Sequence, residues 1–211
     1  MERKILIADD HAIVRYGVSL IIREEVPGSV ITEVDNFNDA LSLVEKEHFH
    51  LLILDINLPG GNSIQMLDQI RQKQPSIKIL VFTAYEESTF AIRYMQAGAD
   101  GYLIKNSAAD EIGRALRTVL SSQLYVSDSV KESLLADKLN RHNSEANPLR
   151  LLSNRENDVL QLMLQGKSVS EIANMLNVHT TTISTYKNRI FEKMNTRNLV
   201  ELIEKYRLFQ S

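Results

Sequence analysis

Four short apolar runs in this sequence end on residues that can do chemistry. Lys4-Ile5-Leu6-Ile7-Ala8 runs into Asp9-Asp10, and Leu51-Leu52-Ile53-Leu54 runs into Asp55, followed by Ile56-Asn57-Leu58-Pro59-Gly60. Lys78-Ile79-Leu80-Val81-Phe82 ends on Thr83-Ala84, and Gly101-Tyr102-Leu103-Ile104 ends on Lys105. Each run is too short for a helix and reads as a strand buried on both faces. Parallel strands with right-handed crossovers bring their carboxyl ends to one edge, where open α/β sheets bind ligands. Three carboxylates gathered there repel one another and imply a bound cation, and hard oxygen donors with room for water suit Mg²⁺. A carboxylate is a workable nucleophile toward phosphorus when a divalent cation screens the repulsion between two anions. Thr83 and Lys105 supply a hydroxyl and a positive charge for the oxygens of a transferred phosphoryl group. Taken singly, Asp55 reads equally well as a helix cap, Thr83 as a strand-end hydroxyl, Tyr102 as core and Lys105 as a solvated lysine. Their convergence is what points to function.

The stretches between the runs supply the elements that return the chain to one edge. His11 to Glu24 carries Ile13, Val14, Gly17, Leu20 and Ile21 at helical spacing and is closed by Pro27-Gly28. Val30-Ile31-Thr32-Glu33-Val34 is a β-branched strand. Helices are expected over 38–47, with Ala40, Leu41 and Val44 inward, and over 63–72, with Ile64, Leu67 and Ile70 inward. Two more are expected over 86–97, closed by Gly98, and over 108–121, capped by Ser107 and Asp110. Five strands alternating with five helices predict an α/β doubly wound, five-stranded parallel sheet over residues 1–122.

Composition limits the function classes. The 211 residues suffice for two modest domains, and the absence of cysteine removes disulfides and thiolate metal sites. No apolar stretch approaches the ~18 residues of a membrane span and no signal peptide opens the chain, so a cytoplasmic protein is expected. Residues 1–120 carry 12 Lys and Arg against 17 Asp and Glu, whereas 148–211 carry 9 against 6. An acidic front and a basic tail suggest separate jobs, with nucleic acid a candidate partner of the tail. Between them, 123–147 reads as a linker. Its first part, 126–139, has the pattern of a short helix, and 140–148 is polar and aperiodic. The five histidines show no metal-ligand spacing and read as solvated or structural.

The tail, 148–211, reads as an all-α unit of four helices. Ser153-Asn154-Arg155-Glu156 and Ser168-Val169-Ser170-Glu171 are capping boxes, each opening a helix. Asn177-Val178-His179 makes a turn, a third helix runs from about Thr180 to Met194, and a fourth covers 198–209. A short helix, a tight turn and a longer helix form a helix-turn-helix. At ~100° per residue, Ile183, Ile190 and Met194 mark the inner face of the third helix. Thr181, Ser184, Thr185, Asn188 and Arg189 then point outward, a polar face suited to phosphates and base edges. Lys187 aims nearly inward, and its stem can snorkel outward.

Asp9-Asp10, Asp55, Thr83 and Lys105 at these spacings resemble the receiver domain of bacterial response regulators, a flavodoxin-like fold. Leu152-Ser153-x-Arg155-Glu156, Gly166-x-Ser168, Glu171-Ile172-Ala173 and Thr182-Ile183 resemble the LuxR-type helix-turn-helix of the NarL/FixJ subfamily. The resemblance covers the whole chain. It implies a two-component regulator in which a sensor histidine kinase phosphorylates Asp55, switching dimerisation and binding of double-stranded DNA. Asp10 and Asp55 would hold Mg²⁺, with Asp9 acting through water and Asn57 through its backbone carbonyl. Thr83 and Tyr102 would be the switch pair, and Lys105 would grip a phosphoryl oxygen. Thr181, Thr182, Ser184, Thr185, Lys187, Asn188 and Arg189 are the expected DNA-contacting residues, and RNA polymerase is a candidate partner. Three positions depart from the pattern: Ser63 stands where Gly is usual, Ser184 where Lys is common and Tyr186 where His is common.

Two other classes fit the residues less well. A phosphatase that forms an aspartyl-phosphate needs an acid two residues after its nucleophile, and Asn57 cannot carry that proton. A receiver that no longer takes phosphate usually lacks an acid, the Thr or the Lys, and all are present here. No enzymatic role beyond the chain's own phosphotransfer and slow dephosphorylation is expected.

Overall fold

The computed structural model describes residues 3–61, 64–85, 87–128, 130–132 and 148–208. Ser63, most of the linker and position 209 of the expected fourth tail helix lie outside the described residues. The chain divides into two compact units, Met1–Leu139 and Asn140–Ser211.

The first unit alternates strand and helix: β1 (Lys4–Ala8), α1 (Ala12–Glu25), β2 (Val30–Val34), α2 (Phe37–Lys46), β3 (Leu51–Leu54), α3 (Gln65–Lys73), β4 (Lys78–Thr83), α4 (Glu87–Gln96), β5 (Gly101–Ile104) and α5 (Ala109–Leu120). All neighbouring strands pair in parallel, in the order β2-β1-β3-β4-β5. The order reverses between β1 and β3, which is the switch point where such sheets open a crevice. β3 is buried at every residue, as its unbroken apolar run requires, while β2 lies at the sheet edge and is only partly covered.

One sheet face, built from Ile5, Ile7, Leu51, Ile53, Leu80, Phe82 and Leu103, packs on α1 and α5. Ile112, Ala115, Leu116 and Val119 of α5 fill that layer. Right-handed crossovers put α2, α3 and α4 on the opposite face. There the inward sides of α2 and α3 are Phe37, Ala40, Val44, Met66, Leu67 and Ile70.

Two local expectations change. The inward side of α1 is Val18, Ser19 and Ile22, with Val14 and Ile21 partly buried, whereas Ile13 and Leu20 are exposed. Apolar residues surround this helix, so the i, i+4, i+8 stripe 14-18-22 and the stripe containing 13 and 20 are both plausible by period. Packing against β1, β3 and α5 selects the first. The cap of α5 is Ala108, with no side-chain hydrogen bond, so Ser107 does not perform the expected capping.

The second unit holds a 3₁₀ turn (Pro148–Leu151), α6 (Asn154–Leu164), α7 (Val169–Met175), α8 (Thr180–Met194) and α9 (Leu199–Leu208). Both capping boxes form: Ser153 and Ser168 accept from the amides of Glu156 and Glu171, and each glutamate reaches back to its cap residue's amide. Ile183, Ile190 and Met194 are fully buried, as are Val159, Leu160, Leu162 and Ile172. Asn195 ends α8 in the left-handed region, at φ 47°.

Candidate functional site

Parallel pairing delivers the carboxyl ends of β1, β3, β4 and β5 to one rim. The Asp55 amide donates to the Ala8 carbonyl at 2.9 Å, extending the β1–β3 ladder by one bond and placing Asp55 beside Asp9 at the switch point. The Lys105 amide donates to the Thr83 carbonyl at 2.7 Å and does the same between β4 and β5. Asp9, Asp55 and Thr83 are buried, each no more than 2% exposed. Lys105 Nζ lies 2.7 Å from Asp55 Oδ2 and 2.8 Å from Asp9 Oδ2.

Burial pushes the Asp55 carboxyl above the usual carboxylate range. The charge and hydrogen bond of Lys105 and the Asn57 amide, 3.1 Å from Oδ1, work in the other direction without overcoming it. Burial opposes the charged form of Lys105, but the Asp55 and Asp9 carboxylates outweigh it and raise its pKa. The lysine is therefore a firmly held cation.

Asp9, Asp10, His11 and Asp55 each offer a ligand atom, all within 4.8 Å of one another. Asp9 Oδ2 is buried without a hydrogen-bond partner, its contact with Lys105 being an unaligned ion pair. Three carboxylates facing one ammonium leave a net negative charge and an unsatisfied oxygen, and the group fits Mg²⁺. His11 is exposed, as expected of a solvated histidine, and it also stands beside the acid group. Its Nδ1 stands 2.7 Å from Asp10 Oδ1 and 3.2 Å from Asp9 Oδ1. Its place directly after Asp10 was the available signal.

Thr83 and Tyr102 are connected through Tyr85. The Tyr85 amide donates to Thr83 Oγ1 at 3.4 Å, and the Tyr102 hydroxyl donates to the Tyr85 carbonyl at 3.1 Å. Tyr102 is 1% exposed, so its ring already lies inside. Tyr85 also stacks on Phe90 of α4, ring centres 4.8 Å apart, and points its hydroxyl to Asn57 Oδ1 at 3.5 Å. Sequence reasoning missed Tyr85, because an aromatic after a strand reads as core. It missed Arg15 too, whose guanidinium donates to the Asp9 carbonyl at 2.6 Å from the first turns of α1.

In the second unit, Thr181, Ser184, Thr185, Asn188 and Arg189 are exposed along α8, and Thr182 is half-buried. The Ser184 and Thr185 hydroxyls donate to the carbonyls four residues back, each at 3.0 Å. Both oxygens can still accept, and an outside acceptor competes for the hydrogen. Lys187 is half-buried with its ammonium 5.6 Å from the Phe191 ring centre, a cation–π contact along the helix.

Residues 5–117 match the family model for response regulator receiver domains, and residues 150–206 match that for bacterial regulatory proteins of the luxR family. The chain is 32% identical over 206 residues to the oxygen regulatory protein NreC of Staphylococcus carnosus, covering 95% of each chain. RcsB from Salmonella enterica serovar Typhimurium, solved bound to a promoter with the phosphomimetic BeF₃⁻, is 25% identical with a TM-score of 0.61. That match spans 97% of this chain and 98% of RcsB. A structure of two RcsB dimers on two parallel DNAs is 26% identical over 98% of each chain, with a TM-score of 0.59. Among the described residues, no helix is long and apolar enough to cross a membrane.

Proposed function

The chain belongs to the two-component response regulators that join a receiver domain to a LuxR-type DNA-binding domain, and from that membership we propose that phosphorylation of Asp55 switches its hold on DNA. The receiver is 1–122 and the DNA-binding domain 148–211, with the linker between them. The observation that carries the proposal is the placement of Asp55 within 2.7 Å of the Lys105 ammonium, beside Asp9 and Asp10.

An Asp55 oxygen attacks phosphorus and forms the new P–O bond while the P–N bond to a sensor kinase's phosphohistidine breaks, the imidazole leaving with the electron pair. Lys105 meets the transferred oxygens with a fixed positive charge. The Thr83 hydroxyl is within the same strand-end group and supplies a hydrogen bond. Ala84 leaves space in front of it. Asp10 and Asp55, with Asp9 through water and the Asn57 carbonyl, would hold Mg²⁺, which supplies charge neutralisation between the two anions. Water hydrolyses the same acyl bond later and resets the switch.

On the output side, α8 enters the major groove with Thr181, Thr182, Ser184, Thr185, Asn188 and Arg189 toward phosphates and base edges, Lys187 reaching backbone phosphate from its flank. Self-association through α9, whose Leu199 and Val200 are exposed, pairs two tails on two half-sites. RcsB on its promoter and the two RcsB dimers on DNA support this arrangement by similarity. A sensor histidine kinase is the upstream partner, and RNA polymerase the one met at the promoter.

The test is direct. Incubation with acetyl phosphate and Mg²⁺ adds one phosphoryl mass on the peptide containing Asp55, and the phosphorylated chain retards promoter DNA at lower concentration. A phosphoryl group found on another residue sinks the proposal.

A further inference from the structure

The chain stays on the sheet after α5 ends. Ser122 turns it in the left-handed region at φ 61°, and the Ser122 and Gln123 amides donate back to the Val119 and Thr118 carbonyls. The next residues run parallel to the outer edge of β5 as a one-bridge sixth strand. The Tyr125 amide donates to the Asp100 carbonyl at 3.1 Å, and the Tyr102 amide donates to the Tyr125 carbonyl at 2.9 Å. Gly101 permits this approach, since a Cβ there would lie 3.3 Å from Tyr125 Cβ and closer still to Leu80 and Val119. Further on, the Ser127 amide donates to Glu87 Oε1 at 2.7 Å, and Val126 and Val130 are buried. The segment thus bridges two supports: the strand that carries Tyr102, and the first turn of α4, which starts two residues after Tyr85.

A phosphoryl group on Asp55 acts on the joint between those supports. Drawing Thr83 Oγ1 toward a phosphoryl oxygen carries it away from the Tyr85 amide, already 3.4 Å off, and Tyr85 leads directly into α4. β5 remains fixed by its register with β4, from Leu80↔Gly101 to Thr83↔Ile104. We propose that residues 124–128, with Val130, form a latch that holds the tether to the DNA-binding unit short, and that phosphorylation opens it by moving Glu87 away from Ser127. This rests on reading Asp55 as the phosphoacceptor.

The two backbone hydrogen bonds of Tyr125, the Ser127 bond to Glu87 and a long 3.5 Å bond from the Tyr125 hydroxyl to Glu111 are among the contacts that secure the latch. A cleft of about 520 Å³ lies alongside, among Tyr102, Glu111, Arg114 and Lys131. Each freed residue extends the reach by at most about 3.5 Å, so freeing the seven positions 124–130 lengthens the tether by at most about 25 Å. That relaxes the geometry that two tails must satisfy to engage two half-sites together. Linkage also fixes a reciprocal effect. Whatever weakens the closed latch raises the apparent affinity of any ligand that selects the open state, until the open state predominates.

The experiment uses the full chain with Mg²⁺ and beryllofluoride as the phosphoryl mimic. Hydrogen exchange at the Tyr125 and Ser127 amides should accelerate about tenfold or more on beryllofluoride binding, while the amides of β3 stay protected. Glu87→Ala should lower the half-saturating beryllofluoride concentration about tenfold, the scale of one hydrogen bond to a charged group. Glu87→Gln keeps an acceptor oxygen and should shift it less. Val130→Ala loosens the same segment from its other end and should act in the same direction as Glu87→Ala. A wild-type chain that takes no beryllofluoride overturns the phosphoacceptor reading and the latch with it. A chain that takes it with unchanged Tyr125 and Ser127 exchange, or Glu87→Ala and Val130→Ala chains with wild-type half-saturation, overturns the latch alone.

Discussion

The Tyr102 hydroxyl donates to the Tyr85 carbonyl at 3.1 Å, so this buried tyrosine is held inside by a backbone group of the β4–α4 loop. Thr83 and Tyr102 are the expected switch pair, and this contact makes Tyr102 a brace on the loop that Thr83 and Tyr85 share. Tyr102→Phe should keep the ring's packing and lose one hydrogen bond, costing about 1 kcal/mol of stability. Its phosphorylation rate should stay near wild type while the gain in DNA affinity on phosphorylation shrinks. Thr83→Ala should show the same uncoupling more strongly, accepting phosphate yet barely changing self-association in sedimentation. Equal responses in wild type and Thr83→Ala would remove Thr83 from the switch.

Asp55→Asn should abolish acetyl-phosphate labelling, because an amide is a poor nucleophile. The same substitution should change stability in a direction opposite to most. Burial holds the folded Asp55 carboxyl above its ordinary pKa of 3.8. A group raised in the folded state stabilises fully below the unfolded value and loses that contribution as pH rises through the folded value. At neutral pH in EDTA, Asp55→Asn should therefore melt higher than wild type, Lys105 keeping its pairing with Asp9. Millimolar Mg²⁺ should raise the wild-type melting temperature and narrow the difference. A wild-type melting curve that ignores Mg²⁺ would count against the acid group as a cation site.

Glu156 offers the reverse sign. Burial works to raise its pKa, but the Lys193 ammonium at 2.6 Å and the Ser153 amide and hydroxyl prevail and lower it. Its contribution to stability is present above the ordinary carboxylate value of 4.5 and is lost as pH falls through the lower folded value. Glu156→Ala removes a capping partner and strands a lysine, at a cost of about 2 kcal/mol. Urea denaturation of the tail unit at pH 7 and again below pH 4 should show that the wild type converges on the variant in acid.

On the DNA side, Asn188→Ala and Ser184→Ala should relax sequence preference, each base contact being worth about 1–3 kcal/mol. Thr181→Ala should weaken all sites alike. Binding should fall steeply with salt as counterions are released. Titrations of cognate and scrambled duplexes at two salt concentrations separate these effects. A uniform loss for Asn188→Ala would place that side chain on the backbone instead.

How much of this was legible depended on whether one signal sufficed. β1, β3, β4 and β5 were readable because strands buried on both faces must be unbroken apolar runs, and their terminal residues followed from chain order alone. The capping boxes at Ser153 and Ser168 were readable because they are local chemistry at fixed spacing. The inward face of α1 was not, since Ile13, Val18, Leu20 and Ile22 leave no wholly polar side and tertiary packing decides. Tyr85 and Tyr125 were illegible for another reason. Their importance lies in main-chain contacts, and a backbone carbonyl leaves no mark on residue type.

The parallel sheet also dictates a timetable. Ile5 pairs with Leu51, Leu51 with Lys78, and Leu80 with Gly101, so the receiver gains no ladder until distant stretches of chain meet. The helices of the tail are closed by caps three residues long and by neighbours close in sequence. Loop-closure entropy makes the first unit the slow folder and the second the quick one. Synthesis from the amino end releases the slow unit first and gives it a head start on the ribosome. A permuted chain with the helical unit in front would lose that advantage, and its receiver would search for its partners last.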